Sequence, residues 1–159
     1  MIIMSIVGAR LDYRLLHGIV ATQWAPTYTP HRIMIVDDKT AGDPMLKDSM
    51  RLGKPAGVAC SIISEETALK NFKAHKYDGQ RVFLVTEDPG FVKKLIDLGE
   101  RIGELVLGLS RNLSEGRKIS ARYAIREEDE EILAEILDRG VPIYSQYTPA
   151  DKREAFTKR

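Results

Sequence analysis

The sequence predicts an α/β fold: a single domain built on a mostly parallel central β-sheet of about seven strands, with helices on both faces. Three observations carry this expectation. Short runs rich in Val, Ile and Leu alternate with helix-like segments along the whole chain, as they do in layered α/β folds. Several of those runs are continuous rather than alternating, which is the pattern of strands covered on both faces. The 159 residues are one domain's length and can bury a hydrophobic core without metals or disulfides. With no internal repeat, low-complexity tract or Pro/Gly/Ser-rich linker, residues 1–159 are taken as one unit.

The expected strands are 2–7, 32–37, 58–63, 81–86, 105–109, 119–125 and 142–147. Helices fit between them. Asp88-Pro89 opens one with an N-cap and a proline in the first turn, and Gly99 closes it. Ser64 caps a second, reaching about Ala74. A third spans 127–139, where Ile132, Leu133, Ile136 and Leu137 form one apolar stripe and Gly140 ends it. Its acidic first turn complements the helix dipole. From Thr148 onward the chain is polar and reads as an extended or frayed tail.

Composition narrows the function classes. Apolar and charged residues make up 43% and 30% of the chain, and 24 Lys and Arg nearly cancel 23 Asp and Glu. That balance argues against disorder and against a general nucleic-acid binder. The single cysteine, Cys60, sits in an apolar run and reads as a buried, inert thiol. No run approaches the roughly 20 apolar residues of a membrane span, and no signal peptide is evident. The chain reads as cytoplasmic. Three scattered histidines and one cysteine show no metal-ligand spacing, so neither a metal nor an organic cofactor is expected. Asp37-Asp38 reads as a helix cap rather than a Mg²⁺ site.

In folds of this kind, ligands sit outside the carboxyl ends of the strands. The first such loop, Gly8 to Gly18, holds Arg10, Asp12, Arg14 and His17 within eight positions. Imidazole nitrogen is nucleophilic near neutral pH, and guanidinium groups match phosphoryl oxygens. Gly18 lets backbone N–H groups approach an anion, and Asp12 can orient either an arginine or the imidazole. On these residues alone, a buried histidine of purely structural role stays open. The loop is neither a dinucleotide fingerprint nor a P-loop. Thr86 and Gly108 end strands on the same rim. Arg111, Arg117, Lys118 and Arg122 form a basic loop, either solvated or facing an acidic partner. His31 and His75 read as exposed, and Trp24 and Tyr28 as packing the first helix on the sheet.

The stretch Arg10-Leu-Asp12-Tyr-Arg14-Leu-Leu-His17-Gly18 resembles the R-x-D-x-R-[LF]-[IL]-H-G-Q-V loop of mannose/fructose/sorbose-type IIB components of the sugar phosphotransferase system. Ala21-Thr22-Gln23-Trp24, Ile35-Val36-Asp37-Asp38, Pro55-Ala56-Gly57-Val58, Gly116-Arg117-Lys118-Ile119 and Tyr147-Thr148-Pro149 extend the resemblance over nearly the whole chain. It implies a phosphotransferase acting as a phosphocarrier: His17, with Arg14, is catalytic, and Arg10, Asp12 and Gly18 bind the phosphoryl group. The donor would be a IIA protein, and the acceptor a sugar taken up through membrane IIC and IID subunits. It implies no nucleic acid and no insertion of this chain into the membrane, and leaves a homo-oligomer open. The family's Gln after His-Gly is here Ile19. A regulatory, non-catalytic IIB-like module is the alternative that this departure keeps open. A small hydrolase is a further one, though it lacks a G-x-S-x-G elbow.

Overall fold

The computed structural model describes residues 5–159. Its core is a seven-stranded sheet in the order β3-β2-β4-β1-β5-β8-β9. The strands are β1 (Ile6–Asp12), β2 (Arg32–Val36), β3 (Ala59–Ile63), β4 (Val82–Thr86), β5 (Leu105–Leu109), β8 (Ile143–Ser145) and β9 (Glu154–Ala155). All neighbouring pairs are parallel except β8 with β9. Two further short strands, β6 (Arg117–Lys118) and β7 (Ala124–Ile125), form a separate antiparallel pair.

Strand β1 lies between β4 and β5, so the chain leaves β1 for one side of the sheet and later crosses to the other. The carboxyl ends of β1, β4 and β5 are thereby brought side by side, where folds of this kind bind ligands.

Alternation along the strands divides the apolar residues into two layers. One layer holds Ala9, Leu11, Met34, Leu84, Leu105 and Leu107 under three helices, α4 (Glu65–Lys73), α5 (Pro89–Asp97) and α6 (Glu127–Asp138). The other holds Ile33, Ile35, Phe83, Val85 and Val106 under a π-helical turn, Val20–Trp24, which runs into α1 (Ala25–Tyr28). Two more helices, α2 (Asp38–Ala41) and α3 (Pro44–Arg51), link β2 to β3, and Met50 of α3 joins this second layer. Helices therefore cover both faces, as the sequence predicts. No described helix is long and apolar enough to cross a membrane.

The expected caps form. Asp88 accepts from Gly90 N–H at 2.8 Å, Ser64 from Thr67 N–H at 3.1 Å and Asp37 from Thr40 N–H at 3.0 Å. Gly140 follows α6 with φ +94°, a left-handed value that glycine adopts without strain.

Three expectations are corrected. The first strand does not end at Val7; it continues to Asp12, because Arg10 and Asp12 pair with each other and are buried as a unit. The part of that expected strand on residues 2–4 lies outside the described residues. The stretch 119–125 is not a strand: only Ala124–Ile125 pairs, and Ser120–Arg122 form a turn. The polar tail is not frayed. Glu154–Ala155 adds an edge strand to β8, anchored by Phe156, which is 6% exposed in the first apolar layer.

Candidate active site

Gly8, Arg10 and Asp12 alternate with Ala9 and Leu11 along β1, so they share the face covered by the π-helical turn. Gly8 gives Tyr28 its place, since a Cβ there would lie 2.4 Å from the Tyr28 ring. Arg10 stands where a core residue would, in register with Val85 and Val106, and is fully buried. Its Nε donates to Asp12 Oδ2 at 3.0 Å and its Nη1 to the Gln146 carbonyl at 3.1 Å. Its guanidinium carbon lies 5.1 Å from the Trp24 ring centre and 5.8 Å from that of Tyr147. Burial lowers the Arg10 pKa while the Asp12 charge raises it; guanidinium stays protonated in either case.

Asp12, also fully buried, is the hub. Its Oδ2 takes Arg10 and lies 2.8 Å from His17 Nε2, while Oδ1 accepts the Arg14 backbone N–H at 2.9 Å. Both carboxylate oxygens are thus engaged by N–H donors. Beyond the strand the chain turns back sharply. Leu15 N–H donates to the Asp12 carbonyl, and Leu15 takes φ +60°, a left-handed conformation that costs a leucine about 1–2 kcal/mol. The turn drops Leu15 and Leu16 into the second apolar layer and stands His17 over Asp12, with its side chain 8% exposed. The helical stretch starts at Gly18, and the His17 carbonyl accepts from Ala21 N–H. A π-turn beside a functional group is a frequent arrangement. Here it places both Val20 and Trp24 in the core, with Trp24 Nε1 donating to the Tyr147 carbonyl at 2.8 Å.

The structure thus gathers all five residues singled out in the loop, but not at equal depth. His17 stands just below the surface of the loop, and Arg14 and Gly18 are exposed beside it. Arg10 and Asp12 lie beneath, so the expectation that Arg10 touches a phosphoryl group directly does not fit its position: it has no exposed surface. Sequence reasoning missed how Gly108 takes part. A Cβ on Gly108 would fall 2.2 Å from the Arg10 guanidinium carbon, so glycine makes room for that charge. Gln146 was unmarked and Tyr147 was marked only as part of the resemblance; their place beside Arg10 is a long-range contact that the sequence does not reveal.

Next to Asp12, a cleft of about 340 Å³ opens between the ends of β1, β2, β4 and β5, lined among others by Asp37, Thr86, Glu87, Arg111 and Tyr123. Three of the four residues of the expected basic loop have partners within the chain. Arg111 forms two bonds to Glu87 (2.9 and 3.0 Å) and lies over the Tyr13 ring, Arg117 pairs with Glu130, and Arg122 stacks on Tyr147. Cys60 is half-buried with its pKa raised by burial, as an inert thiol is. No cluster of metal-ligating side chains occurs among the described residues.

Comparison with known proteins agrees with this architecture. Residues 6–159 match the family model described as "PTS system sorbose subfamily IIB component". The fructose-specific EIIB component of Bacillus subtilis is 30% identical over 155 residues, covering 98% of this chain and 95% of that protein. The mannose-specific EIIAB component of Escherichia coli is 27% identical over 145 residues, and there the match spans 45% of the longer protein. Among solved structures, the IIBSor domain of the sorbose permease from Klebsiella pneumoniae superposes with a TM-score of 0.85 at 25% identity, covering 94% of this chain and 92% of that one. The chain belongs to the sorbose subfamily of phosphotransferase-system IIB components.

Proposed function

We propose that this chain is a phosphocarrier that accepts a phosphoryl group on His17 Nδ1 from a phosphorylated IIA protein. It then passes the group to a sugar of the mannose, fructose, sorbose or amino-sugar class, during uptake through membrane IIC and IID subunits. Residues 1–159 would act as one cytoplasmic unit. The observation that carries the reading is the 2.8 Å contact between His17 Nε2 and Asp12 Oδ2. A buried carboxylate holds the proton on Nε2, which leaves the Nδ1 lone pair free to attack phosphorus. The N–P bond on the donor imidazole breaks as the new one forms. In the second step a sugar hydroxyl attacks the same phosphorus and His17 leaves.

Arg14 supports the transfer from outside. Its backbone is tied to Asp12 while its side chain is exposed, free to balance the phosphoryl charge. Gly18 begins the helical stretch with nothing within 4 Å of a Cβ position, which leaves its backbone open to an anion. The need is for positioning and charge balance rather than for a cofactor. Ile19 is half-buried against the second apolar layer, so packing accounts for it and the absent amide does not itself point to a regulatory module.

The test is direct. The purified protein is mixed with phosphoenolpyruvate, the general phosphotransferase proteins and a mannose-type IIA protein, and its intact mass is followed. One acid-labile phosphate is expected on His17, and none on a folded His17→Ala variant. Full labelling of that variant would remove His17 as the nucleophile. No labelling of the wild type by a phosphorylated cognate IIA would favour the regulatory reading.

A further inference from the structure

We propose that the cleft beside Asp12 is a binding site for a monosaccharide, held by its hydroxyl groups, with the Tyr123 hydroxyl as an anchor. That this sugar is the phosphoryl acceptor rests on the phosphocarrier reading of His17; that the cleft takes a sugar does not.

The cleft lies where sheets of this kind bind ligands, outside the carboxyl ends of four parallel strands. Its volume of about 340 Å³ is at the lower end for small-molecule sites, which suits a single sugar ring. Leu11, Val36 and Leu109 give it some apolar wall, and polar side chains make up most of the remainder.

Tyr123 is the residue that points to a ligand. It is 6% exposed, yet its hydroxyl has no hydrogen-bond partner among the described residues. Buried tyrosine hydroxyls ordinarily have one. The charged groups acting on this hydroxyl are those of Asp129, Arg126, Glu87 and Asp12. All four line the cleft, so the hydroxyl is directed into it. Burial, and then the Asp129 charge, push the Tyr123 pKa up, which keeps the proton available to donate.

The rest of the wall selects the class of ligand. Ser110 Oγ accepts from Ala124 N–H at 2.9 Å, and its own proton has no acceptor among the described residues. Asp37 caps α2 through Oδ2, so Oδ1 remains for an incoming donor. Donors and acceptors thus share one small space, and a hydroxyl group meets both because it donates and accepts. A bare cation would leave the Tyr123 and Ser110 protons unmatched. An anion is disfavoured as well. Arg111 is held by Glu87 and Arg126 by Asp129, and carboxyl groups outnumber the two along the wall. The same wall would not retain a sugar once it carried a phosphate. Asp12 joins the two sites, since it lines the cleft and its Oδ2 lies 2.8 Å from His17 Nε2.

The experiment titrates the unphosphorylated, ¹⁵N-labelled protein with mannose, fructose, sorbose and N-acetylgalactosamine, following backbone amide spectra. Magnesium chloride and inorganic phosphate are titrated in parallel. Saturable shifts at the amides of Thr86, Ser110 and Ala124 are expected with at least one sugar. The Kd should be about 1–10 mM, the strength of a few hydrogen bonds in a small open cleft. Tyr123→Phe keeps the ring and loses the hydroxyl, and should weaken that sugar about 10-fold. Its urea midpoint should be unchanged or higher, because the lost hydroxyl bonds to nothing in the fold. Wild-type sugar binding by Tyr123→Phe, or a lowered midpoint, would overturn the hydroxyl as the anchor. No saturable shift with any of the sugars would overturn the site, as would shifts at these amides with magnesium or phosphate alone. Sugar binding by a protein that accepts no phosphate would remove the carrier reading and leave the site standing. Phosphate acceptance without sugar binding would do the reverse.

Discussion

Gly8, Arg10 and Asp12 take successive places on one face of β1, and each is there for a different physical reason. Gly8 is a matter of volume. The Tyr28 ring that lies against it is held by Phe83 at 4.8 Å and by a 2.6 Å hydrogen bond to Glu104, so it cannot retreat from an added methyl group. Gly8→Ala should therefore destabilise the protein by about 1–3 kcal/mol, the usual cost of overpacking, read from the urea unfolding midpoint. Arg14 presents the opposite case. Its side chain is exposed, so Arg14→Ala should leave that midpoint unchanged while acceptance falls, by about 10²–10³-fold if its guanidinium stabilises the phosphoryl charge. A shifted midpoint with unchanged acceptance would reverse the two roles. The residues of the loop were legible in the sequence through the long R-x-D-x-R spacing that ends in His17-Gly18, since charge and imidazole alone left a structural histidine open. Gly8 and Gly108 were not, since what makes each glycine necessary is a side chain far away in the chain.

Elements were legible where local chemistry decides them and illegible where distant partners do. Strands β2 to β5 and the caps of α4 and α5 follow from apolar runs and from Ser64 and Asp88. The continuation of β1 past Gly8 does not, because an arginine and an aspartate become strand residues only once they neutralise each other under a helix. The meeting of α4 with α5 carries a further consequence. Glu65, in the first turn of α4, has its pKa pushed up from 4.5 to about 7, by partial burial first and then by the charge of Asp88 and a hydrogen bond with it. In the folded protein Glu65 therefore holds a proton over a range where the unfolded chain has released it. Stability should fall as pH rises from about 4.5 through about 7. Glu65→Gln should flatten that decline, which chemical unfolding of both proteins at pH 5 and pH 7.5 would show. Parallel declines in the two proteins would place the pH dependence elsewhere.

At the scale of the whole molecule, the sheet separates stability from chemistry. The layer under α4, α5 and α6 is apolar and lies on the face of the sheet opposite Arg10 and Asp12, whereas the layer under the π-helical turn includes Trp24, whose ring flanks Arg10 and whose Nε1 ties down the Tyr147 carbonyl. Phe156 belongs to the first layer, contributed by a tail whose polar composition concealed this apolar anchor. Phe156→Ala should cost about 3–5 kcal/mol of stability, by loss of buried area and by the cavity left behind, yet the folded fraction should accept phosphate at the wild-type rate. Trp24→Leu should lose on both counts. It removes a hydrogen bond and leaves the Tyr147 carbonyl unpaired, and it takes away one wall of the Arg10 pocket. The comparison needs only urea titration and single-turnover acceptance at 25 °C. If Phe156→Ala slowed acceptance as much as Trp24→Leu, the two faces would be coupled through the sheet. The position of Arg10 on a central strand would then have to be understood as part of that coupling rather than as a local support for His17.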